Sequence, residues 1–237
     1  MKELKILHMV PRLLSLYGEY GNVAVLKATL EENHCTVAVT EWEDGPVDLS
    51  AYDFFYVGSG TEDNLLIALD RLLPYTEAVK ASVEAGKVWL ATGNAMALFG
   101  KTLKRADEKP ALGVCAYDTV IEDGKRYLGD VIAADEPTTL GFINTSCRYT
   151  GIETPLMELL LNKELGNDKI SLAEGVRENN FFGTQLIGPF LVKNPHYMEL
   201  VCSLLTGSDI KIDADSYLAK AYAVSCKELR NRAGLAE

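Results

Sequence analysis

The residues of this sequence that are best placed to do chemistry lie in short loops after apolar runs. Residues 58–60 are Gly, Ser and Gly, and their backbone amides would suit an oxyanion or a tight turn. Residues 91–100 lead from an apolar run through Gly93 towards a helix, which is the layout of a nucleophile elbow. An elbow normally presents Ser or Cys, but this corner carries a glycine between Thr92 and Asn94.

The elements that must position these loops are predicted from apolar spacing. Short apolar or alternating runs predict strands at residues 4–10, 35–42, 54–57 and 88–91. Helical spacing predicts helices at residues 23–33, with Asn22 as the N-cap, and at 64–73 and 75–85. This alternation is typical of a parallel sheet covered on both faces, and such sheets bind ligands at the carboxyl ends of their strands. Residues 1–237 are expected to form one domain.

The middle of the chain has a different pattern. Asp123 and Gly124 are typical of a hairpin turn, and they separate two strand-like runs at 114–122 and 127–133. We therefore expect an antiparallel insertion in this region. The other predicted elements are a late strand at 181–191 and final helices at 195–205 and 214–232.

Composition restricts the partners and the compartment. The formal charge is -11, from 34 acidic and 23 basic residues, so the chain would repel nucleic acids and anionic membranes. Its five cysteines are widely spaced and form no metal-binding motif, which favours a reducing compartment without structural zinc. We find no signal-peptide pattern and no apolar stretch of membrane-spanning length, so the expected location is the cytoplasm.

Five segments together resemble the class I glutamine amidotransferase-like family. The resemblance is to its CobB/CobQ-like group, especially the amidotransferase subunit of lipid II isoglutaminyl synthase and, more distantly, cobyric acid synthase. The segment at 183–195 aligns without a gap over thirteen consecutive positions with the family's Gly-Thr-Tyr-Leu-His-Gly-Pro-Leu-Leu-Pro-Lys-Asn-Pro. The other matching segments are 16–22 (family Tyr-Gly-Asp-x-Gly-Asn), 52–63 (Tyr-Asp, Gly-Gly-Gly, Asp), 91–100 (Cys-Gly-Gly-Tyr-Gln-Leu-Leu-Gly) and 141–144 (Gly-Phe-Glu-Asn).

The resemblance implies both a fold and a loss of chemistry. The implied fold is a three-layer α/β/α, flavodoxin-like domain with a mostly parallel central sheet and an antiparallel insertion. The family's catalytic cysteine falls on Gly93 and its histidine on Ile187. Glutamine hydrolysis needs a thiolate and a proton shuttle, and neither side chain supplies one. We therefore expect no intact catalytic pair and no glutaminase activity.

Two residues could substitute for the lost nucleophile. Thr92 lies one position before the corner, and Cys147 lies in a loop that neighbours the active site in the resembling family, beside Arg148, which could lower a thiol pKa. Either would need a base. The three histidines are expected to be structural or surface residues: His8, His34 and His196.

Three functions remain open at this point. The first is a catalytically degenerate protein that acts as a binding or regulatory subunit of a Mur-ligase-like amidating synthetase, with a possible glutamine-like ligand. The second is an active amidotransferase with a displaced nucleophile, which supplies ammonia for cell-wall precursor or cobyrinate amidation. The third is a sensor of an amino acid or amide. No cofactor or metal is implied. The predicted binding residues are Gly58, Ser59, Gly60, Asn94, Thr184 and Gln185.

Overall fold

The computed structural model describes residues 2–235, which form four β-sheets and six α-helices. In chain order the strands are β1 (Lys2–Met9), β2 (Cys35–Trp42), β3 (Phe54–Val57), β4 (Val88–Thr92), β5 (Thr102–Lys104), β6 (Glu108–Pro110), β7 (Asp118–Ile121), β8 (Tyr127–Ile132), β9 (Leu140–Thr145), β10 (Cys147–Thr150), β11 (Met157–Glu158), β12 (Ala173–Glu174), β13 (Val176–Glu178), β14 (Phe181–Thr184) and β15 (Leu186–Ile187). The helices are α1 (Gly21–Glu32), α2 (Glu62–Leu72), α3 (Thr76–Glu84), α4 (Phe190–Lys193), α5 (Pro195–Thr206) and α6 (Tyr217–Arg232).

The central sheet has six strands in the order β13-β14-β4-β3-β1-β2. Neighbouring strands from β14 to β2 are parallel, and β13 runs antiparallel to β14. Side chains of β1 alternate between two cores: Leu7 and Met9 pack on the side of α2 and α3, whereas Leu4 and Ile6 pack on the side of α1 and α5. This arrangement confirms the three-layer α/β/α fold with a mostly parallel sheet.

The antiparallel insertion is present, but its strands pair differently from the prediction. β7 pairs with β10 and β5, whereas β8 pairs with β9 in another sheet. Gly124 has a φ of +80°, as a turn at this position requires. The predicted hairpin between residues 114–122 and 127–133 is nevertheless wrong, because both flanking strands find their partners elsewhere in the chain.

The predicted late strand at 181–191 is also wrong as a single element. β14 ends at Thr184 in the central sheet, and β15 pairs with β9 in a different sheet. Gly188, with a φ of +77°, and Pro189 then turn the chain into α4. The break matters for the site, because it sets Ile187 apart from the central sheet.

Helix α1 begins at Gly21, and the prediction of Asn22 as its N-cap is wrong. Asn22 lies inside the helix and is buried, and its side-chain oxygen accepts a hydrogen bond of 2.8 Å from the Leu191 backbone N–H. The other predicted helices are present with boundaries shifted by up to three residues. Within residues 2–235, no helix has the length and apolar character needed to cross a membrane.

Candidate functional site

Four loops meet at the carboxyl edge of the central sheet. Strands β1, β3, β4 and β14 are neighbours there, and the register places Val57 beside Ala91 and Ala91 beside Gly183. Because parallel strands end on the same edge, the loops that follow them come together. The residues that these loops bring close to one another are Glu19, Ser59, Gly93 and Ile187.

The corner after β4 keeps the backbone of an elbow but has no room for a side chain. Gly93 has a φ of +62°, the left-handed conformation that glycine adopts most easily. A Cβ atom placed on Gly93 would lie 2.5 Å from Ser59 Oγ, 2.6 Å from Ser59 Cβ and 2.8 Å from Ile187 Cγ2. These distances are well inside van der Waals contact. The space that a nucleophile would occupy is therefore filled by Ser59 and Ile187.

Asn94 holds the neighbouring loop in place. Its side-chain oxygen accepts hydrogen bonds from Ser59 Oγ at 3.1 Å and from the Gly60 backbone N–H at 3.0 Å. Its side-chain nitrogen donates to the Gly60 carbonyl at 2.8 Å. Because the Gly60 N–H is already paired, it is not free to stabilise an oxyanion in this conformation.

Four departures from the resembling family's pattern lie in contact with one another. Ser59 stands at the middle position of Gly-Gly-Gly, and Asn94 stands at the glycine after the cysteine. These two side chains are hydrogen-bonded to each other. Gly93 and Ile187, the positions onto which the resemblance places the family's cysteine and histidine, both lie beside the side chain of Ser59. The residues at these positions therefore pack against one another at the corner.

A buried polar cluster around Glu19, which we did not predict from the sequence, packs against the Gly93 corner. Glu19 is fully buried, and its Oε2 accepts hydrogen bonds from the Tyr56 hydroxyl at 2.9 Å and from the Thr92 hydroxyl. Its Oε1 accepts from the Gly188 backbone N–H at 2.8 Å. Burial raises the pKa of Glu19, and these hydrogen bonds oppose that rise. Glu19 thus links the loop after β1 to Gly188, the residue that follows Ile187 and β15.

A second buried carboxyl fixes the turn between β14 and β15. Glu174 accepts hydrogen bonds from the Thr184 hydroxyl at 2.9 Å and from the Gln185 backbone N–H at 2.7 Å. Lys169 Nζ donates to the Gln185 side chain at 2.8 Å. Burial raises the pKa of Glu174 to about 7 and lowers that of Lys169 to about 8.

The raised pKa of Glu174 predicts a specific pH dependence of stability. The folded protein holds the Glu174 proton more tightly than the unfolded chain, in which the pKa is 4.5. The protonated carboxyl therefore contributes its full stabilisation below pH 4.5. It is lost as the pH rises through about 7. The free energy of unfolding of the wild type should therefore fall by on the order of 3 kcal/mol between these two pH values. We expect Glu174→Gln, which mimics the protonated acid, not to show this fall.

Denaturant unfolding at a series of pH values checks this expectation. The solvent-exposed glutamate variant Glu32→Gln is the matched control, and it should follow the wild-type profile. Parallel profiles for wild type and Glu174→Gln would show that Glu174 does not titrate between these states.

The two substitute nucleophiles are both buried. Thr92 has hydrogen bonds to Glu19 and Tyr56, and Cys147 has no exposed surface. Burial raises the pKa of the Cys147 thiol, in contrast to the lowering expected from Arg148, which lies 3.8 Å from Glu122.

The three histidines lie in separate places. His8 packs its ring beside Tyr56, and burial lowers its pKa to about 4. His34 is exposed at the start of β2, and His196 Nε2 lies 3.0 Å from the Thr139 hydroxyl. None of these contacts places an imidazole against Thr92 or a thiol.

The six predicted binding residues form two groups, and all six are buried. Residues 58–60 and Asn94 surround the Gly93 corner, whereas Thr184 and Gln185 bind Glu174. In this conformation Ser59, Gly60 and Asn94 hydrogen-bond to one another, so a ligand at the corner would have to displace existing contacts. Their role in binding remains a prediction.

Comparison with curated proteins gives two similar relatives, whereas no family model matches the chain. The first is the GatD subunit of the glutamine-hydrolysing lipid II isoglutaminyl synthase from Streptococcus pneumoniae, which is 28% identical over 98% of this chain and 93% of the relative. The second is the GatD subunit of the same synthase from Staphylococcus aureus, 27% identical over 82% of this chain and 81% of the relative.

Solved structures show the same fold at low identity. A glutamine amidotransferase crystal structure matches with a TM-score of 0.52 and 15% identity, over 83% of this chain and 98% of that one. The glutaminase domain of CTPS from Trypanosoma brucei, with bound acivicin, matches with a TM-score of 0.50 and 12% identity, over 91% of this chain and 98% of the other. At these identities the similarity is one of fold.

Proposed function

We propose that this chain is a catalytically silent member of the class I glutamine amidotransferase-like family, which it resembles in sequence, and that it serves as a binding or regulatory subunit. The observation that carries this proposal is the packing at Gly93. The backbone keeps the left-handed bend of an elbow, but Ser59 and Ile187 occupy the space of a nucleophile. Replacing a cysteine by glycine with no other change would leave an empty space at this corner, whereas here Ser59 and Ile187 fill that space.

The partner that this proposal favours is an amidating synthetase. Both curated relatives are subunits of lipid II isoglutaminyl synthase, and they align with most of this chain. A Mur-ligase-like synthetase, which the family resemblance implies, would then receive no ammonia from this subunit. The chain would contribute surface or stability to such a complex, and we place the complex in the cytoplasm.

A glutaminase assay tests the silent state. We expect the purified chain to release no ammonia from glutamine above a protein-free blank, both alone and with a Mur-ligase-like synthetase from the same genome. The physical reason is that neither Gly93 nor Ile187 can form or activate a nucleophile. Without both groups the covalent route is closed, and any residual catalysis from binding and polarisation alone is at most about 10⁴-fold over water.

Two variants make the assay decisive. If ammonia is released and Thr92→Val or Cys147→Ala abolishes the release, a displaced nucleophile is at work and the proposal fails. Co-elution with the synthetase on a size-exclusion column is the matching test of the subunit role. A chain that neither binds the synthetase nor changes its activity would contradict that role.

A further inference from the structure

A cleft of about 250 Å³ lies between α6 and the strands β8 and β9, apart from the Gly93 corner. Its charged lining residues are Asp130, Lys193, Glu228 and Arg232, and Gly141 forms part of its floor. At about 30 Å³ per water molecule, this volume holds about eight water-sized groups. The cleft is therefore the size of a small polar metabolite.

Two of the four charges neutralise each other at the rim. Arg232 Nε lies 2.9 Å from Glu228 Oε1, one helical turn away on α6. Both side chains are largely exposed. The pair leaves Lys193 and Asp130 as the two charges of the cleft that have no ion-pair partner among residues 2–235.

Lys193 is a cation without an ion-pair partner among the described residues. Its side chain is half-buried, and no hydrogen bond or ion pair of its ammonium occurs within the described residues. Burial lowers the pKa of Lys193, while Asp130 and Glu19 oppose the shift at longer range. Partial burial of an unpaired ammonium costs free energy, which an anionic group in the cleft would recover.

We propose that this cleft binds a free α-amino acid, with its carboxylate against Lys193 and its ammonium against Asp130. The two unmatched charges face the same cavity without forming an ion pair with each other, so a molecule that carries both charges fits between them. An anion without an ammonium would leave Asp130 unmatched, and a cation without a carboxylate would leave Lys193 unmatched. The site is independent of the proposed silent state of the Gly93 corner.

Binding at this cleft would affect the turn at Gly188, which directly follows β15. Lys193 Nζ lies 3.5 Å from the position that a Cβ atom on Gly188 would take. The Gly188 N–H in turn donates to Glu19. A ligand carboxylate at Lys193 would weaken the attraction between Lys193 and Glu19, so occupancy of the cleft is coupled to the buried cluster.

Thermal unfolding with a panel of the proteinogenic L-amino acids tests the proposal. A bound amino acid should raise Tm by about 4 °C at ten times its dissociation constant. For L-glutamine, the matched analogues are glutaramate, which lacks the ammonium, and 4-aminobutanamide, which lacks the carboxylate. Each analogue should bind at least about tenfold more weakly than the amino acid, because one of the two charges stays unmatched.

Single variants locate the binding. Lys193→Met and Asp130→Asn should each weaken binding at least about tenfold, whereas Lys27→Met, a partly exposed lysine on α1 outside the cleft, should not. Asp130 is exposed, so its replacement keeps the fold intact even if Lys193→Met does not. The proposal is overturned if no amino acid shifts Tm, if the analogues bind equally well, or if Asp130→Asn binds like wild type.

Discussion

Replacing Gly93 with alanine is expected to lower the free energy of unfolding by about 3 kcal/mol, from left-handed strain and overpacking together. The new Cβ would meet Ser59 and Ile187 at less than 3 Å. Chemical denaturation measures the loss. Gly124→Ala is the matched control, because Gly124 also has a positive φ but its Cβ would meet nothing within 4 Å. That control should cost about 1 kcal/mol.

The steric part of this loss should depend on Ser59. In a double-mutant cycle, Ser59→Gly should recover about 1–2 kcal/mol of the cost of Gly93→Ala, because it removes the two nearest atoms. Additive effects of the two substitutions would contradict the filled corner. Equal costs at Gly93 and Gly124 would contradict it as well, since only backbone strain would then be at work.

Replacing Glu19 with alanine is expected to lower the free energy of unfolding by about 4 kcal/mol. The substitution leaves the hydroxyls of Tyr56 and Thr92 and the Gly188 N–H without their buried acceptor. It also opens a cavity at the point where the first and last loops of the site meet. Thermal or denaturant unfolding gives the magnitude.

An exposed glutamate serves as the control for Glu19. Glu84→Ala, at the end of α3, should change the free energy of unfolding by no more than about 0.5 kcal/mol. If Glu19→Ala behaves like Glu84→Ala, the buried cluster does not hold the two loops together. Glu19→Gln should fall between these extremes, because the amide keeps one acceptor oxygen.

The central sheet could be predicted because its signals are local. Strands β2 and β3 have the predicted boundaries, since each is a short apolar or alternating run between turn residues. Pairing is not local, and this is why the hairpin around Gly124 failed. The turn forms, but the partners of its flanking strands lie tens of residues away.

The site was predictable only in part. The position of the elbow follows from the glycine after an apolar run, whereas the expectation that both catalytic groups are absent comes from the resemblance to the family motif and stays a prediction. Glu19 was missed because an acidic residue in a turn is usually solvated. The signal that could have identified Glu19 is the aspartate at the matching position of the family's Tyr-Gly-Asp-x-Gly-Asn motif. The contact of Ser59 with Gly93 joins loops 34 residues apart, so no local pattern reveals it.

The packing at the Gly93 corner also constrains which mutations such a chain could accept during evolution. A mutation that introduced a cysteine at residue 93 would place its side chain against Ser59 and Ile187. The protein would lose stability at that step, and it would still lack a proton acceptor. A smaller side chain at residue 59 would have to come first, with no gain in activity to favour it. Packing of this kind therefore makes any side chain at residue 93 costly in stability until residue 59 has changed.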